Sequence, residues 1–300
     1  MTSLNPNPKT LTPPSMNYFS LSVQRMIVLS ELAEYYAESY CSGSLLTDPE
    51  QIADKLGITI CKSNYNKAFD GMLCYREGDF YLHLNVNEDA GEHIFMPRIR
   101  FTFAHELGHY IIDEHRNSLK KPGTRSHSSF PLVSQDIMIE READHFAACL
   151  LLPENRIKKD VFRRMFHATL IDEISAKYNV SVTATLLRFI SMGNHPIMVV
   201  CSRNGMISWH RESDGFPFTY PLYGHKGRVP EYTSAGEYFY EKKKNQNRAE
   251  TVFAGEWFKV NYKSDQNRKL FEYCYYFDSL NQVVSVIWEE KTNFSPIQLP

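Results

Sequence analysis

The sequence lacks several features that would assign it to a familiar class of protein. None of its apolar runs approaches the length of a membrane span, so no membrane-spanning helix is expected. The formal net charge is only −2, which gives no broad basic surface of the kind that binds nucleic acid. No internal repeat is visible along the 300 residues, which argues against a repeat architecture.

Cysteine is present, but its spacing suggests neither a metal-binding knuckle nor a disulfide framework. The six cysteines are scattered and include no C-x-x-C pair. Cys61, Cys74 and Cys149 fall within apolar runs, as buried thiols do. These features predict a reducing, cytoplasmic setting.

The chain divides by its hydrophobic pattern. With 43% hydrophobic and 23% charged residues it has a globular composition. Residues 1–17 are rich in Pro, Thr, Ser and Asn without an apolar signal core, and we expect a disordered lead-in there. We predict an α+β protein with a boundary near residue 194. Residues 18–193 would form a domain of helices and a small antiparallel sheet, and residues 194–300 a smaller β-rich α+β domain.

Capping residues, turn residues and periodicity predict the individual elements. Helices are predicted at about 21–41, 49–56, 97–112, 136–152, 156–165, 170–177 and 181–192, and strands at 58–62, 72–75, 80–85, 197–201, 206–210, 271–277 and 283–288. A long polar loop is expected at about 113–135, and the charged residues 241–248 are expected to be solvated.

One motif carries more chemical information than the rest, His105-Glu106-Leu-Gly-His109 within an apolar stretch. Residues four apart lie on one face of a helix, so the two imidazoles can bind one Zn²⁺. Glu106, one step round the helix, can hold and deprotonate a water molecule. The alternative is a surface helix with solvated histidines, but so hydrophobic a helix needs a reason to bury three polar groups. The motif favours metal-assisted hydrolysis, usually of a peptide bond.

A catalytic zinc site needs a third protein ligand, and two positions compete for it. His115 has the spacing of the H-E-x-x-H-x-x-G-x-x-H metalloproteases, which break the helix at a Gly. Ile112 stands there instead, and its β-branch resists a positive φ. We therefore interpret His115 as an ordinary loop histidine. Glu140 is the stronger candidate, because Asp144 follows on the same helix face and could accept the free N–H of a ligating histidine.

Two alternatives to that assignment stay open. Both carboxylates could be solvated, although the same stripe continues into Ala143, Ala147 and Leu151, which is typical of a buried face. Glu142 is a lesser candidate for the third ligand, since it points elsewhere on the helix.

Taken together, these residues resemble a known family. His105-Glu-Leu-Gly-His109, followed by Glu140-Arg-Glu-Ala-Asp144-His-Phe-Ala-Ala-Cys-Leu-Leu-Leu-Pro153, is similar to the ImmA/IrrE family of metallopeptidases. That family joins an H-E-x-x-H helix to a downstream E-x-x-A-N/D-x-F-A…L-L-x-P helix. The resemblance covers residues 21–192 and implies a zincin-like domain in which His105, His109 and Glu140 hold Zn²⁺ and Glu106 is the general base. Asp144 stands where Asn is common, and the His109-to-Glu140 connection is long.

The resemblance also implies a substrate and a setting. Family members are intracellular and cleave a helix-turn-helix transcriptional repressor. We therefore expect a cytoplasmic endopeptidase whose partner is a protein, with no membrane association and no direct nucleic-acid binding. Some members carry a GAF-like sensor domain at the C-terminus, which is the expectation for residues 194–300.

Two other functions stay open as alternatives. Residues 170–190 have the pattern of a helix-turn-helix, with Ser181 capping the second helix, which would suit a DNA-binding regulator. That helix offers Arg188 but little else that is basic, so we favour a packing helix pair. The other alternative is a protein-binding regulator that keeps the metal site for folding only.

For a cleavage reaction the sequence suggests two further features. An edge strand of the hairpin at residues 72–85 could align an extended substrate by main-chain pairing. A second oxyanion donor is expected, and its candidates, each with an ordinary structural alternative, are Tyr110, His115, His127 and His145.

Overall fold

The computed structural model describes residues 21–66, 68–94, 96–121, 127–128, 134–192 and 195–289. The predicted lead-in at residues 1–17 lies outside them. The longer helices are α1 Val23–Cys41, α2 Pro49–Lys55, α3 Pro97–Ile111, α4 Asp113–Leu119, α5 Ser134–Leu151, α6 Glu154–Val161, α7 Ala168–Tyr178 and α8 Val182–Met192. Short helices are α9 Ser234–Gly236, α10 Ala254–Trp257 and α11 Lys263–Gln266, with single 3₁₀ or π turns at Glu88–Ala90, Glu237–Glu241 and Asp278–Leu280.

The strands form two sheets. They are β1 Thr59–Ser63, β2 Gly71–Arg76, β3 Asp79–Asn85 and β4 His127–Ser128 in the first sheet, and β5 Ile197–Arg203, β6 Met206–Glu212, β7 Glu250–Phe253, β8 Lys269–Phe277 and β9 Gln282–Trp288 in the second. The α+β class predicted from the sequence is confirmed. No helix in the described ranges is long and apolar enough to cross a membrane.

The first helices begin and end where their capping residues predict. The Ser22 hydroxyl accepts a hydrogen bond from the Arg25 backbone N–H at the start of α1. At the start of α2, the Asp48 carboxylate accepts from the Glu50 N–H ahead of the first-turn Pro49. Gly57 follows that helix with a φ of +72°, the left-handed conformation that glycine adopts most readily.

Helices α3 and α5 pack against each other, and α1 covers the other side of α5. The contact between α3 and α5 is close at Gly108, where an added Cβ would lie 3.0 Å from Phe146 Cδ1 and 3.5 Å from the Ala143 Cα. Phe103, Leu107 and Ala143 are fully or almost fully buried in this region. The small residues let the two backbones approach, which brings the polar face of α3 against that of α5.

The first sheet has the order β1-β3-β2-β4. Strands β2 and β3 form the predicted antiparallel hairpin, but β1 pairs with β3 in parallel, so the sheet is mixed rather than purely antiparallel. The reason is that the connection after β1 crosses the end of β3 to reach β2. Asn85 fastens this crossing, since its amide donates to the backbone carbonyls of Asn66 and Phe69 at 2.5 and 2.8 Å.

That order changes the expectation of a free hairpin edge. Strand β3 lies inside the sheet, and β2 pairs with β4 at Met72 and Leu73. Within the described residues, the pairing with β4 covers Met72 and Leu73 and does not extend to Cys74–Arg76 at the outer edge of the hairpin.

The second sheet is antiparallel throughout, in the order β6-β5-β9-β8-β7. Its central strands are apolar on both faces, because one face packs on the helical part and the other on the C-terminal loops. Val199 and Val286 share a core with Phe189 of α8, while Met198 and Ile287 pack in a second core with residues such as Trp257. One core thus runs through residues on both sides of position 194. The domain boundary and the GAF-like form of residues 194–300 stay predictions.

Several segments differ from the sequence prediction. Residues 113–119, expected within a polar loop, form α4. Helix α3 ends at Ile111 because Ile112 adopts φ −71° and ψ 112°, an extended conformation that needs no positive φ. Strand β7 is too short to be predicted from its sequence. It forms because its four residues pair with β8.

Candidate metal centre

The three predicted ligands converge between α3 and α5. The Nε2 atoms of His105 and His109 lie 3.1 Å apart. The Glu140 carboxylate places Oε2 3.1 Å from Nε2 of His105 and Oε1 3.5 Å from Nε2 of His109. One donor atom from each residue can be chosen so that all lie within 4.8 Å of one another.

The pKa shifts of the three residues suit a site in which a metal ion takes the place of a shared proton. Burial lowers the pKa of His105, but hydrogen bonds with Asp144 and Glu140 outweigh that effect and raise it to about 10. For His109, burial dominates and lowers the pKa to about 3. Burial raises the pKa of Glu140, yet its hydrogen bonds with the two histidines hold the pKa well below the usual range. A neutral His109 and an ionised Glu140 are therefore ready to accept a metal ion.

The donor set fits a zinc-type ion. Two imidazole nitrogens and one carboxylate are the three protein ligands of many catalytic zinc sites, which keep a further position open. The facing Nε2 lone pairs could not approach this closely unless a proton or a cation lay between them. The described residues thus fit a divalent transition metal, held by His105, His109 and Glu140.

Each histidine is held from its outer nitrogen. His105 Nδ1 lies 2.9 Å from Asp144 Oδ1, the partner predicted from the sequence. His109 Nδ1 lies 3.2 Å from His115 Nδ1, and His115 Nε2 lies 3.1 Å from Glu142 Oε2. The interpretation of His115 as an ordinary loop histidine was therefore wrong, since this side chain is buried on α4 against a candidate ligand. The extended backbone at Ile112 turns α4 back and causes the contact.

Glu106, the general base expected from the sequence, lies on α3 beside the candidate ligands. It is buried at 1% exposure and follows His105 directly on α3. The first residue of β2, Gly71, passes so close that an added Cβ would lie 2.9 Å from Glu106 Oε1 and 2.6 Å from Thr102 Cγ2. Gly71 carries no signal in the sequence, because its role depends on a contact between a strand and a helix that are distant in the chain.

Two candidate oxyanion donors point to other partners. The Tyr110 hydroxyl donates to the Leu56 carbonyl at 3.4 Å. His145 Nε2 lies 3.0 Å from the Ser30 hydroxyl and 3.1 Å from the Met26 carbonyl. The side chain of His127, another candidate, falls outside the described part of the structure.

Arg188, the basic residue of the second helix in the predicted helix-turn-helix pair α7–α8, does not face solvent. Arg188 is 3% exposed, and its Nε donates to the Leu152 carbonyl at the end of α5. Its guanidinium also lies 3.4 Å from the Glu154 carboxylate. Beside it, a cavity of about 380 Å³ opens between α5 and α8, next to Asp144, and its lining combines polar residues with apolar ones such as Phe101 and Leu187.

The packed helices and the His–His–Glu cluster define a zincin-like, metallopeptidase-like domain. Residues 53–189 match the sequence profile of the IrrE N-terminal-like domain, peptidase M78. Residues 53–189 therefore match the family that the motifs predicted by their resemblance.

Structural comparison concerns the fold alone. The chain is similar to a solved structure described as a Mycobacterium tuberculosis transcriptional regulator, with 16% sequence identity and a TM-score of 0.56. The similarity covers 88% of this chain and 76% of the other. A search of curated proteins found no match.

Proposed function

We propose that this chain is a zinc-dependent endopeptidase that hydrolyses a peptide bond in a helix-turn-helix transcriptional repressor inside the cell. The observation that carries the proposal is the convergence of His105, His109 and Glu140 next to Glu106 on the same helix. The family match to a peptidase domain supports the reaction class. The fold shared with a protein described as a transcriptional regulator is compatible with a role in transcription.

The chemistry needs a proton carrier, and Glu106 is proposed for it. Zn²⁺, when bound, supplies a Lewis acid that lowers the pKa of water toward ~7 and withdraws charge from a carbonyl oxygen. Glu106 takes the proton of the attacking water as the new C–O bond forms. It then gives that proton to the leaving nitrogen as the C–N bond breaks, so the products are a carboxylic acid and an amine. Asp144 holds His105 in the tautomer that leaves Nε2 free to bind.

The cavity next to Asp144 suggests how a substrate side chain could be accommodated. Its apolar wall includes Phe101, which precedes His105 by one helical turn. We propose that an apolar side chain near the scissile bond enters this cavity, since burying it there would contribute binding energy.

The test is cleavage of helix-turn-helix repressors encoded next to this chain. The purified protein with added Zn²⁺ is mixed with each repressor, and fragments are identified by mass spectrometry. We expect one defined cut that a chelator abolishes. The Glu106→Gln variant should bind Zn²⁺ normally and cleave about 10²–10⁴-fold more slowly. Complex formation without any cut by the wild-type protein would favour the alternative of a binding regulator, and full activity of Glu106→Gln would exclude Glu106 as the base.

A further inference from the structure

The second candidate ligand, His109, is held in an unusual way. A ligating histidine commonly donates its outer N–H directly to a carboxylate, a carbonyl or water, as His105 can do to Asp144. His109 instead faces another histidine, with 3.2 Å between the two Nδ1 atoms. Both rings are buried, at 1% and 2% exposure for His109 and His115.

The positions of the protons in this pair follow from the geometry. If His109 uses Nε2 as a ligand atom, its single proton must sit on Nδ1. That N–H donates to His115 Nδ1 when this atom carries a lone pair, which puts the His115 proton on Nε2. His115 Nε2 lies 3.1 Å from Glu142 Oε2, an acceptor placed where that proton emerges. Both contacts are therefore satisfied by a single arrangement of protons along the pair.

The chain of contacts ends on a cation supplied by a different helix. Glu142 Oε2 also accepts from Arg25 of α1 at 2.5 Å. Arg25 in turn contacts Glu114 of α4 at 3.2 Å. Both Glu142 and Arg25 are largely covered, with 15% and 26% of their side chains exposed. The contacts therefore connect α1, α4 and α5 to a ligand on α3.

We propose that His115, Glu142 and Arg25 form a positioning relay that fixes the tautomer and ring orientation of His109 for metal binding. Glu142, a lesser candidate for the third ligand by sequence, would act two steps away from the metal. This inference rests on the proposed metal site. The relay makes the metal affinity of the site depend on residues that contact neither the metal nor the substrate.

The test measures zinc affinity, by competition with a chromophoric chelator, together with the d–d absorption of the Co²⁺-substituted protein. His115→Phe keeps a ring but removes the acceptor, and we expect about 10–100-fold weaker zinc binding and an altered Co²⁺ spectrum. His115→Asn places an amide oxygen near the former Nδ1, so its affinity should stay within a few-fold of wild type. Asp113→Asn, on the same helix, is the matched control and should bind as wild type does, since the Asp113 side chain is 72% exposed and pairs with Arg116, outside the relay.

The outcomes distinguish a failure of the relay proposal from a failure of the proposed metal site. Equal affinity of His115→Phe and wild type would overturn the relay, and so would equal losses in His115→Phe and His115→Asn, since a purely structural role would not distinguish them. If His115→Phe does not fold, Glu142→Leu and Glu142→Gln replace the pair. Leu should weaken zinc binding by about tenfold while Gln, which still accepts from His115, preserves it. A wild-type protein that binds no zinc would instead refute the proposed function.

Discussion

Gly71 and Glu106 are in such close contact that a larger residue at the start of β2 would require a neighbouring side chain to shift. A Cβ at position 71 would lie 2.8 Å from Glu106 Cγ and 2.9 Å from its Oε1. The strand thus forms a wall against which the carboxylate of the proposed general base rests. The two residues are 35 positions apart in the sequence, so only the fold brings them into contact.

We expect Gly71→Ala to impair the reaction more than the metal site. The added methyl must displace Glu106 or Thr102, and a shift near 1 Å of a catalytic group costs about 10²-fold in rate. Zinc affinity should change little, because the atoms nearest to the added Cβ belong to Thr102 and Glu106, not to a candidate ligand. The measurement compares kcat with zinc affinity. Adding Thr102→Ser removes the closest contact but not the one with Glu106, so the double variant should regain stability and not activity. Restored activity would show that Glu106 was not the group displaced.

Asp144 should be replaceable by Asn but not by Ala. The Asn amide oxygen can still accept the Nδ1 proton of His105, whereas Ala leaves that proton without its acceptor. We expect zinc binding by Asp144→Ala to weaken about 10–100-fold and by Asp144→Asn to weaken much less. Asp113→Asn, a change of the same charge at an exposed side chain of α4, controls for net charge. Equal losses in both Asp144 variants would mean that charge, not the hydrogen bond, is what matters.

The parts of the site that were predictable from sequence are those that depend on helical spacing. His105 and His109 share a face because they are four residues apart, and Glu140 and Asp144 share a face for the same reason. The structure places these two faces against each other, as the resemblance implied.

The rest depends on tertiary contacts or on backbone choices that sequence leaves open. His115 has a role that the sequence does not predict, because a helix break at position 112 was expected to need a positive φ. Ile112 breaks the helix with an ordinary extended ψ instead, and α4 brings His115 to His109. The parallel pairing of β1 with β3 could not be predicted either. It depends on the connection between β1 and β2, held by Asn85, crossing the end of β3.

Arg100 should matter for stability although it lies away from the metal centre. Its buried guanidinium donates to the carbonyls of Thr47, Tyr178 and Asn179 at 2.7–2.9 Å and so joins three segments. Arg100→Met would leave these acceptors without their donor, and we expect the free energy of unfolding to fall by about 3 kcal/mol. Urea denaturation measures it.

Arg98 provides the matched control for that substitution. It lies on the same helix, but its side chain is 51% exposed and pairs with Asp70 and Glu92 at the surface. Exposed pairs contribute about 0–1 kcal/mol, so Arg98→Met should have a small effect. Similar losses for both arginines would contradict the structural role assigned to Arg100.

Metal binding should release one proton from the cluster, and that proton should come from His105. At pH 6 the pKa of about 10 keeps His105 protonated in the metal-free protein, while the pKa of His109, about 3, keeps that ring neutral. Glu140, with its lowered pKa, is already ionised. A cation must therefore displace one proton, and apparent zinc affinity should rise about tenfold per pH unit between pH 6 and 8 as protons compete less.

Calorimetric titration with Zn²⁺ in two buffers of different ionisation enthalpy counts the protons released. We expect about one per metal at pH 6, where a zinc-associated water of pKa ~7 contributes little. In Asp144→Asn, loss of the carboxylate charge removes a main cause of the raised pKa of His105, so fewer protons should be released at pH 8 than in the wild type. Zinc binding that neither depends on pH nor releases a proton would mean that His105 is neutral before the metal arrives, and that the metal does not compete with a proton at this histidine.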